Sequence, residues 1–311
     1  MTTVFIDGQA GTTGLQITER LQSRKDLELV YLRDEERKDP ARRQACLQEA
    51  DVSILCLPDD AAREAVALAE DKGRIIDAST AHRVAAGWDY GLPELGTAAR
   101  EALRQSTRVS NPGCYPQGFI LLLSPLIESG LLDKSTLLRC HALSGYSGGG
   151  RSMIEQRQAF SPQQAEALNS QVYGLTLAHK HVPEMHKYTG IDHPPIFSPT
   201  VAHYYQGMLV QIPLFRDELN ESTPSEVHAC LADRYIDEPF IEVMPLGLDM
   251  TDDGFLNPTA CNGTNKVQLM VFASKTQYLL VARYDNLGKG AAGAAVQNLN
   301  LMLGIDETLA L

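Results

Sequence analysis

The chain has 311 residues, enough for about two domains, and its 44% hydrophobic and 21% charged content is ordinary for a globular protein. A formal net charge of −12, with no basic block, argues against non-specific binding to nucleic acid or to an anionic membrane. No stretch approaches the roughly 18 uninterrupted apolar residues of a membrane span.

Residues 3–7 read as a short buried strand that the chain enters at once through Val4-Phe5-Ile6, with no charged leader. Gly8-Gln9-Ala10-Gly11-Thr12-Thr13-Gly14 follows and runs into a helical pattern of Leu15, Ile17 and Leu21. Strand, glycine turn and helix in that order form the context in which backbone approaches a pyrophosphate and a helix N-terminus supplies N–H groups. Thr12 and Thr13 add hydroxyl donors. The spacing is G-x-x-G-x-x-G, and a plain glycine turn satisfies it as well. The next strand, Leu27–Leu32, ends in Arg33, where an NAD-specific fold carries an acid for the ribose hydroxyl. An arginine there, with Arg37 and Lys38 nearby, suits a 2′-phosphate and hence NADP. Asp34, Glu35 and Glu36 fit a solvated surface loop equally.

Residues 41–50 read as a helix, Asp51–Leu57 as a strand ended by Pro58, about 61–72 as a helix, and Arg74–Ala78 as a strand followed by Ser79-Thr80-Ala81-His82-Arg83. This alternation predicts a Rossmann-type, doubly wound parallel sheet with ligands at the carboxyl ends of its strands.

Ser110-Asn111-Pro112-Gly113-Cys114-Tyr115-Pro116-Gln117-Gly118 then makes a tight turn into the apolar run Phe119–Leu123. Pro116 suits the first turn of a helix, about 116–130, which places Cys114 at its N-terminus. Unpaired N–H groups and the macrodipole there favour a thiolate, the nucleophilic form. A small buried cysteine filling a turn is the alternative. The other cysteines, Cys46, Cys56, Cys140, Cys230 and Cys261, form no C-x-x-C pair and read as reduced thiols of a cytoplasmic protein.

Ser135–Leu143 reads as a strand, and Ser144-Gly145-Tyr146-Ser147-Gly148-Gly149-Gly150-Arg151 as a loop able to wrap an anion, or as a flexible linker. His179-Lys180-His181-Val182-Pro183-Glu184 carries two histidines at i, i+2, which point the same way on a strand. An acid/base partner for Cys114 suits them better than a metal site, and no metal is expected. Residues 196–284 read mostly as strands, with a helix near 224–235 and a hairpin of Lys266–Ala273 and Thr276–Tyr284. That composition predicts a second, α+β domain with a mainly antiparallel sheet, whose long face suits self-association. Asp285–Gly290 precedes a small-residue helix, about 290–303, returning to the first domain. The expected division is 1–113 plus about 286–311, and about 114–285.

The chain closely resembles the short-form N-acetyl-gamma-glutamyl-phosphate reductases, relatives of aspartate-semialdehyde dehydrogenase. The resemblance runs nearly end to end and rests on Ser110–Pro116, Asp77–Arg83, Tyr90-Gly91-Leu92-Pro93-Glu94, Ser144–Gly150 and Asp285–Gly304. It implies NADP-dependent reduction of a small acyl phosphate to an aldehyde through a Cys114 thioester. It also implies His181 as acid/base with His179 close behind, and Glu184 as orienter. It assigns Gly8, Gly11, Thr12, Thr13, Gly14, Asn286 and Lys289 to the cofactor and the Ser144–Arg151 loop to the substrate; Arg33 and Ser79, from their places after strand ends, are expected at the cofactor too, and Asn111, Ser144, Gly148 and Arg151 at the substrate. A homodimer or homotetramer is expected. The competing readings are a lysine-pathway reductase acting on a carrier-bound substrate, which wants a basic docking face, and a non-catalytic NADP-binding sensor.

Overall fold

The computed structural model describes all residues of the chain except 34, 38, 249, 250 and 252. Two compact units are present, Met1–Pro112 with Ala291–Leu311, and Gly113–Gly290. Asn286 and Lys289 therefore belong to the second unit.

The first unit carries six strands, β1 (Thr2–Asp7), β2 (Leu27–Val30), β3 (Val52–Leu55), β4 (Arg74–Asp77), β5 (Asp89–Tyr90) and β6 (Arg108–Ser110), in the order β2-β1-β3-β4-β6-β5. Every pairing is parallel. Helices α1 (Thr12–Leu21), α2 (Pro40–Glu49), α3 (Asp59–Ala69) and α4 (Thr97–Gln105), with a C-terminal helix Gly293–Met302, complete it. The alternation along β1 explains the layers. Val4 and Ile6 pack with Ile17 and Leu21 of α1 and with Val296 and Leu299 of the C-terminal helix. Phe5, pointing the other way, packs with Leu47 of α2 and Ala65 and Ala69 of α3. Strand β2 stops at Val30, short of the predicted Leu32. The C-terminal helix is buried on all sides, and its polar side chains reach back into the same unit. Gln297 donates to Glu94, and Asn298 donates to the Gly91 carbonyl and to Asn111.

The second unit opens with α5 (Cys114–Glu128), followed by β7 (Arg139–Gly145), α6 (Gly150–Gln158), α7 (Pro162–Ala167), β8 (Ser170–Val172), α8 (Val182–Thr189), β9 (Ile196–Ala202), β10 (Met208–Phe215), α9 (Pro224–Tyr235), β11 (Ile241–Val243), β12 (Val267–Ala273) and β13 (Gln277–Tyr284). Its seven strands run β11-β12-β13-β10-β7-β9-β8, mostly antiparallel with parallel pairs β7–β9 and β11–β12. Helix α5, apolar all round, lies against β13, α8 and α9 and is buried from Tyr115 to Leu126. The glycine-rich segment after β7 is a 3-10 turn, Tyr146–Gly149, running into α6, rather than an open loop. Backbone N–H groups of Gly145, Tyr146 and Ser147 are spent on the carbonyls of Gly207, Tyr204 and Tyr205, which is why it is ordered.

Candidate active site

Nucleotide-binding geometry in the first unit starts where β1 meets α1. Gly8 has φ +89°, and a Cβ there would lie 2.3 Å from the Cys56 carbonyl oxygen, so only glycine fits. A Cβ at Gly14 would lie 2.5 Å from the Gly8 carbonyl oxygen, and Gly11 N–H closes the turn on that same oxygen at 3.0 Å. Helix α1 begins at Thr12 with Gly11 as its cap and no capping side chain, which leaves its first N–H groups for an anion. This cradle fits a pyrophosphate. Nearby, Asp77 at the end of β4 accepts from the Ser79 backbone N–H at 2.9 Å, from its hydroxyl at 2.7 Å, and from His82 Nδ1 at 2.6 Å. Ser79 is thus held by the sheet. Arg33 is exposed and, among the described residues, has no acidic partner on its guanidinium; its N–H donates to Glu36. Lys38 and Asp34 lie outside the described residues. Asn111 is buried, its amide donating to the Ala291 carbonyl and accepting from Asn298.

In the second unit, Cys114 is the first residue of α5 and the one position between Val109 and Leu126 that is not buried. Gly113, its cap, donates its N–H to Glu184 Oε2 at 2.8 Å. Glu184 is 1% exposed and sits in the first turn of α8, so it holds the turn that presents the thiol. The adjacent Gln117 is fully buried and donates to the Lys289 carbonyl at 2.8 Å.

Correcting the strand expectation, the two histidines lie in the turn before α8, with His181 as its N-cap residue. Pro183, fit for a helix start, ends any strand there. His179 Nδ1 accepts the His181 N–H at 3.2 Å, which puts the ring proton of His179 on Nε2. Burial, with Lys180 adding, lowers the His179 pKa to about 4. The rings of His179 and His181 are 4.8 Å apart, and Tyr115 meets His181 at 5.7 Å and His179 at 6.2 Å. Tyr173 donates its hydroxyl to that of Tyr115 at 3.1 Å. Burial pushes the Tyr173 phenol up to about 12 and raises Tyr115 further, and the charge of Cys114 acts on both in the same direction.

Ser144 and Asn286 are buried, and a Cβ at Gly148 would lie 3.3 Å from Ser144 Oγ and 3.5 Å from Asn286 Nδ2. Ser144 also reaches the Tyr115 hydroxyl. Asn286 accepts from Gly207 N–H at 2.7 Å and donates to Ser147 Oγ at 3.0 Å. These expected residues converge beside Cys114 and Tyr115. Two do not. Arg151 is an exposed residue of α6 paired with Glu155 at 2.7 Å. Lys289 is fully buried with its ammonium 5.9 Å from the Phe240 ring centre, so its side chain faces the protein interior. Tyr173 and Tyr284 went unnoticed in the sequence; Gly118, alone in a bulky apolar helix, was the available sign of a close neighbour. Among the described residues no cluster of three or more His, Cys, Asp or Glu is placed to hold a metal, and no helix is long and apolar enough to cross a membrane.

Four of the other thiols are held back. Burial raises Cys46 and Cys261, and lifts Cys56 to about 12 with Asp77 and Asp7 adding; Cys140 is raised further still. Iodoacetamide at neutral pH is therefore expected to label Cys114 first, as read by peptide mapping; labelling of Cys46 or Cys230 ahead of it would count against an activated thiol.

Residues 3–106 match the family described as semialdehyde dehydrogenase, NAD binding domain, and residues 114–286 match its dimerisation domain. N-acetyl-gamma-glutamyl-phosphate reductase 2 of Nostoc sp. is 50% identical over 99% of this chain and 98% of its own. The protein of that name from Pseudomonas putida is 52% identical over 97% and 96%. Among solved structures, aspartate semialdehyde dehydrogenase from Francisella tularensis aligns with a TM-score of 0.74 at 14% identity, covering 97% of this chain and 100% of that one. The Vibrio cholerae enzyme II complexed with ASA gives 0.72 at 16%, covering 98% of each. At such identities the likeness is one of fold.

Proposed function

The chain belongs to the semialdehyde dehydrogenase family, among the N-acetyl-gamma-glutamyl-phosphate reductases, and we propose that Cys114 is its nucleophile. The reaction is the nicotinamide-dependent reduction of N-acetyl-glutamyl 5-phosphate to N-acetyl-glutamate 5-semialdehyde with release of phosphate, a step of arginine biosynthesis. The observation that carries the reading is the partly exposed Cys114 opening a helix that is buried from Tyr115 to Leu126.

The Cys114 thiolate attacks the acyl carbon, the bond to the phosphate oxygen breaks, and a thioester forms. His181 gives its proton to the departing phosphate and regains one from water. A reduced nicotinamide, when bound, supplies hydride. The C–S bond of the reduced adduct then breaks, releasing the aldehyde and returning the thiolate. Tyr115, Ser144 and the Ser147–Asn286 pair line the thiol's surroundings and suit the substrate's polar groups. Gly8–Gly14, with the N–H groups of Thr12 and Thr13, would hold the pyrophosphate. The exposed Arg33 favours NADP over NAD, since its guanidinium is open to a 2′-phosphate. Association as a homodimer or homotetramer through the second unit is supported by its match to a dimerisation domain.

The test is the reverse direction: reduced NADP formed from N-acetyl-glutamate 5-semialdehyde, with and without phosphate. Phosphate-dependent reduction is expected. A signal only with a carrier-tethered substrate would point to the lysine-pathway reaction. Cofactor binding with no turnover of either substrate would point to a sensor.

A further inference from the structure

Strand β13 ends on Tyr284, a fully buried side chain whose hydroxyl lies on the first turn of α5. It accepts the Gly118 N–H at 3.0 Å and donates to the Cys114 carbonyl at 2.5 Å. Those two backbone groups are the pair that an α-helix joins to each other four residues apart. The phenol is therefore bonded to the carbonyl of the reactive cysteine itself. Gly118 is what lets it approach: a Cβ there would lie 2.8 Å from the Tyr284 hydroxyl oxygen and 3.0 Å from Ala282 Cβ. The same segment reaches Cys114 again six residues on. Gly290 donates its N–H to the Asp285 carbonyl within a π-turn, and a Cβ at Gly290 would lie 3.2 Å from Cys114 Cβ. Burial keeps the Tyr284 phenol protonated and able to donate, and the charge of Cys114 acts in the same direction.

We propose that Tyr284 is a positioning residue for the reaction: its hydroxyl, admitted by Gly118, fixes the first turn of α5 and with it the direction of the Cys114 thiol. It acts through Cys114, and the inference rests on Cys114 being the nucleophile as proposed above. Tyr284 and Gly118 are coupled, since the side chain missing from one makes room for the hydroxyl of the other. The cysteine is thereby held at its carbonyl by the end of β13, and the π-turn that follows comes close enough to leave no easy room for a side chain at Gly290 beside the Cys114 Cβ.

Tyr284→Phe removes one oxygen, and the Cys114 carbonyl and Gly118 N–H that it served are left facing each other, able to pair directly. The variant is expected to fold and to lose about 10- to 100-fold in kcat, the scale of a misplaced reacting group, with KM for the acyl phosphate unchanged within about two-fold. The pH profile of Cys114 alkylation by iodoacetamide is expected to shift in midpoint and plateau. Gly118→Ala keeps the hydroxyl but displaces it, and is expected to reproduce both changes. Wild-type kcat and a wild-type alkylation profile in Tyr284→Phe would overturn the proposal. So would a lowered melting temperature with both kinetic readouts unmoved, because that marks a purely structural role. Failure of the underlying reading looks different: Cys114 of the unmutated protein would alkylate no faster than Cys46 or Cys230, whatever stands at 284.

Discussion

Cys114→Ala is expected to lower phosphate-dependent semialdehyde oxidation by a factor on the order of 10⁴ or more, the scale on which removal of a covalent nucleophile acts. The fold gives no reason for the variant to fail otherwise. Alanine is a good helix former and keeps the Cβ at this position, and the backbone carbonyl and N–H of residue 114 are unchanged. The glycine cradle at Gly8–Gly14 lies in the other unit, so binding of reduced NADP, followed by fluorescence, is expected to stay within about two-fold. Loss of turnover with retained binding separates covalent catalysis from simple cofactor binding. Near-normal turnover would remove the thioester from the mechanism.

The second large effect is expected from the histidine pair, and it discriminates between its members. His181→Asn is expected to lower kcat by about 10²- to 10⁴-fold and to remove one limb of the pH–rate profile, as loss of a general acid/base does. His179→Asn is expected to cost less. Its Nδ1 is occupied by the His181 N–H, and its depressed pKa keeps it neutral at neutral pH, so it offers a fixed Nε2–H donor rather than a mobile proton. It has a separate signature in stability. An unfolded chain takes up a proton on this histidine near pH 6.5, whereas the folded chain resists until about pH 4. The folded state is therefore penalised as pH falls from the first value toward the second. Urea midpoints at neutral and mildly acidic pH are expected to converge partly in His179→Asn. Equal kinetic losses in both variants would undo the division of roles.

Much of this was readable from local pattern. The strand–glycine–helix order at Gly8–Gly14, the hairpin of β12 and β13, helix α9 and the turn into Cys114 all depend on neighbours in sequence, where Gly, Pro and apolar spacing speak directly. The misreadings have physical causes. The i, i+2 spacing of His179 and His181 is that of alternate strand positions, but Pro183, whose ring suits a helix start, overrides it. The glycines of Ser144–Arg151 favour an open loop locally, while the carbonyls of Tyr204, Tyr205 and Gly207 that order it lie far along the chain. The spacing of Glu184 from His181 suggests an orienter of the histidine, and the structure shows its carboxylate accepting the Gly113 N–H, a residue 71 positions away. Asn111, Asn286 and Lys289 stand in motifs that suggest ligand contact, and the bonds of the two asparagines and the burial of Lys289 are set by residues far along the chain. Tyr284 could not be read at all: its meaning comes from a bond to a residue 170 positions away.

The C-terminal helix carries one last consequence, for the order in which the protein is made. The first unit begins with the first strand, but its core includes Val296, Leu299 and Leu301, and its buried Asn111 is capped by Asn298. A ribosome delivers these residues only after the whole of Gly113–Gly290 has emerged. The cofactor-binding half therefore starts first and closes last, and during synthesis the Val4, Ile6 and Ile54 face of its sheet is covered by Ile17 and Leu21 of α1 but not yet by Val296 and Leu299, while the other half is free to fold. That interval is when the nascent chain is most exposed to aggregation and most dependent on chaperones.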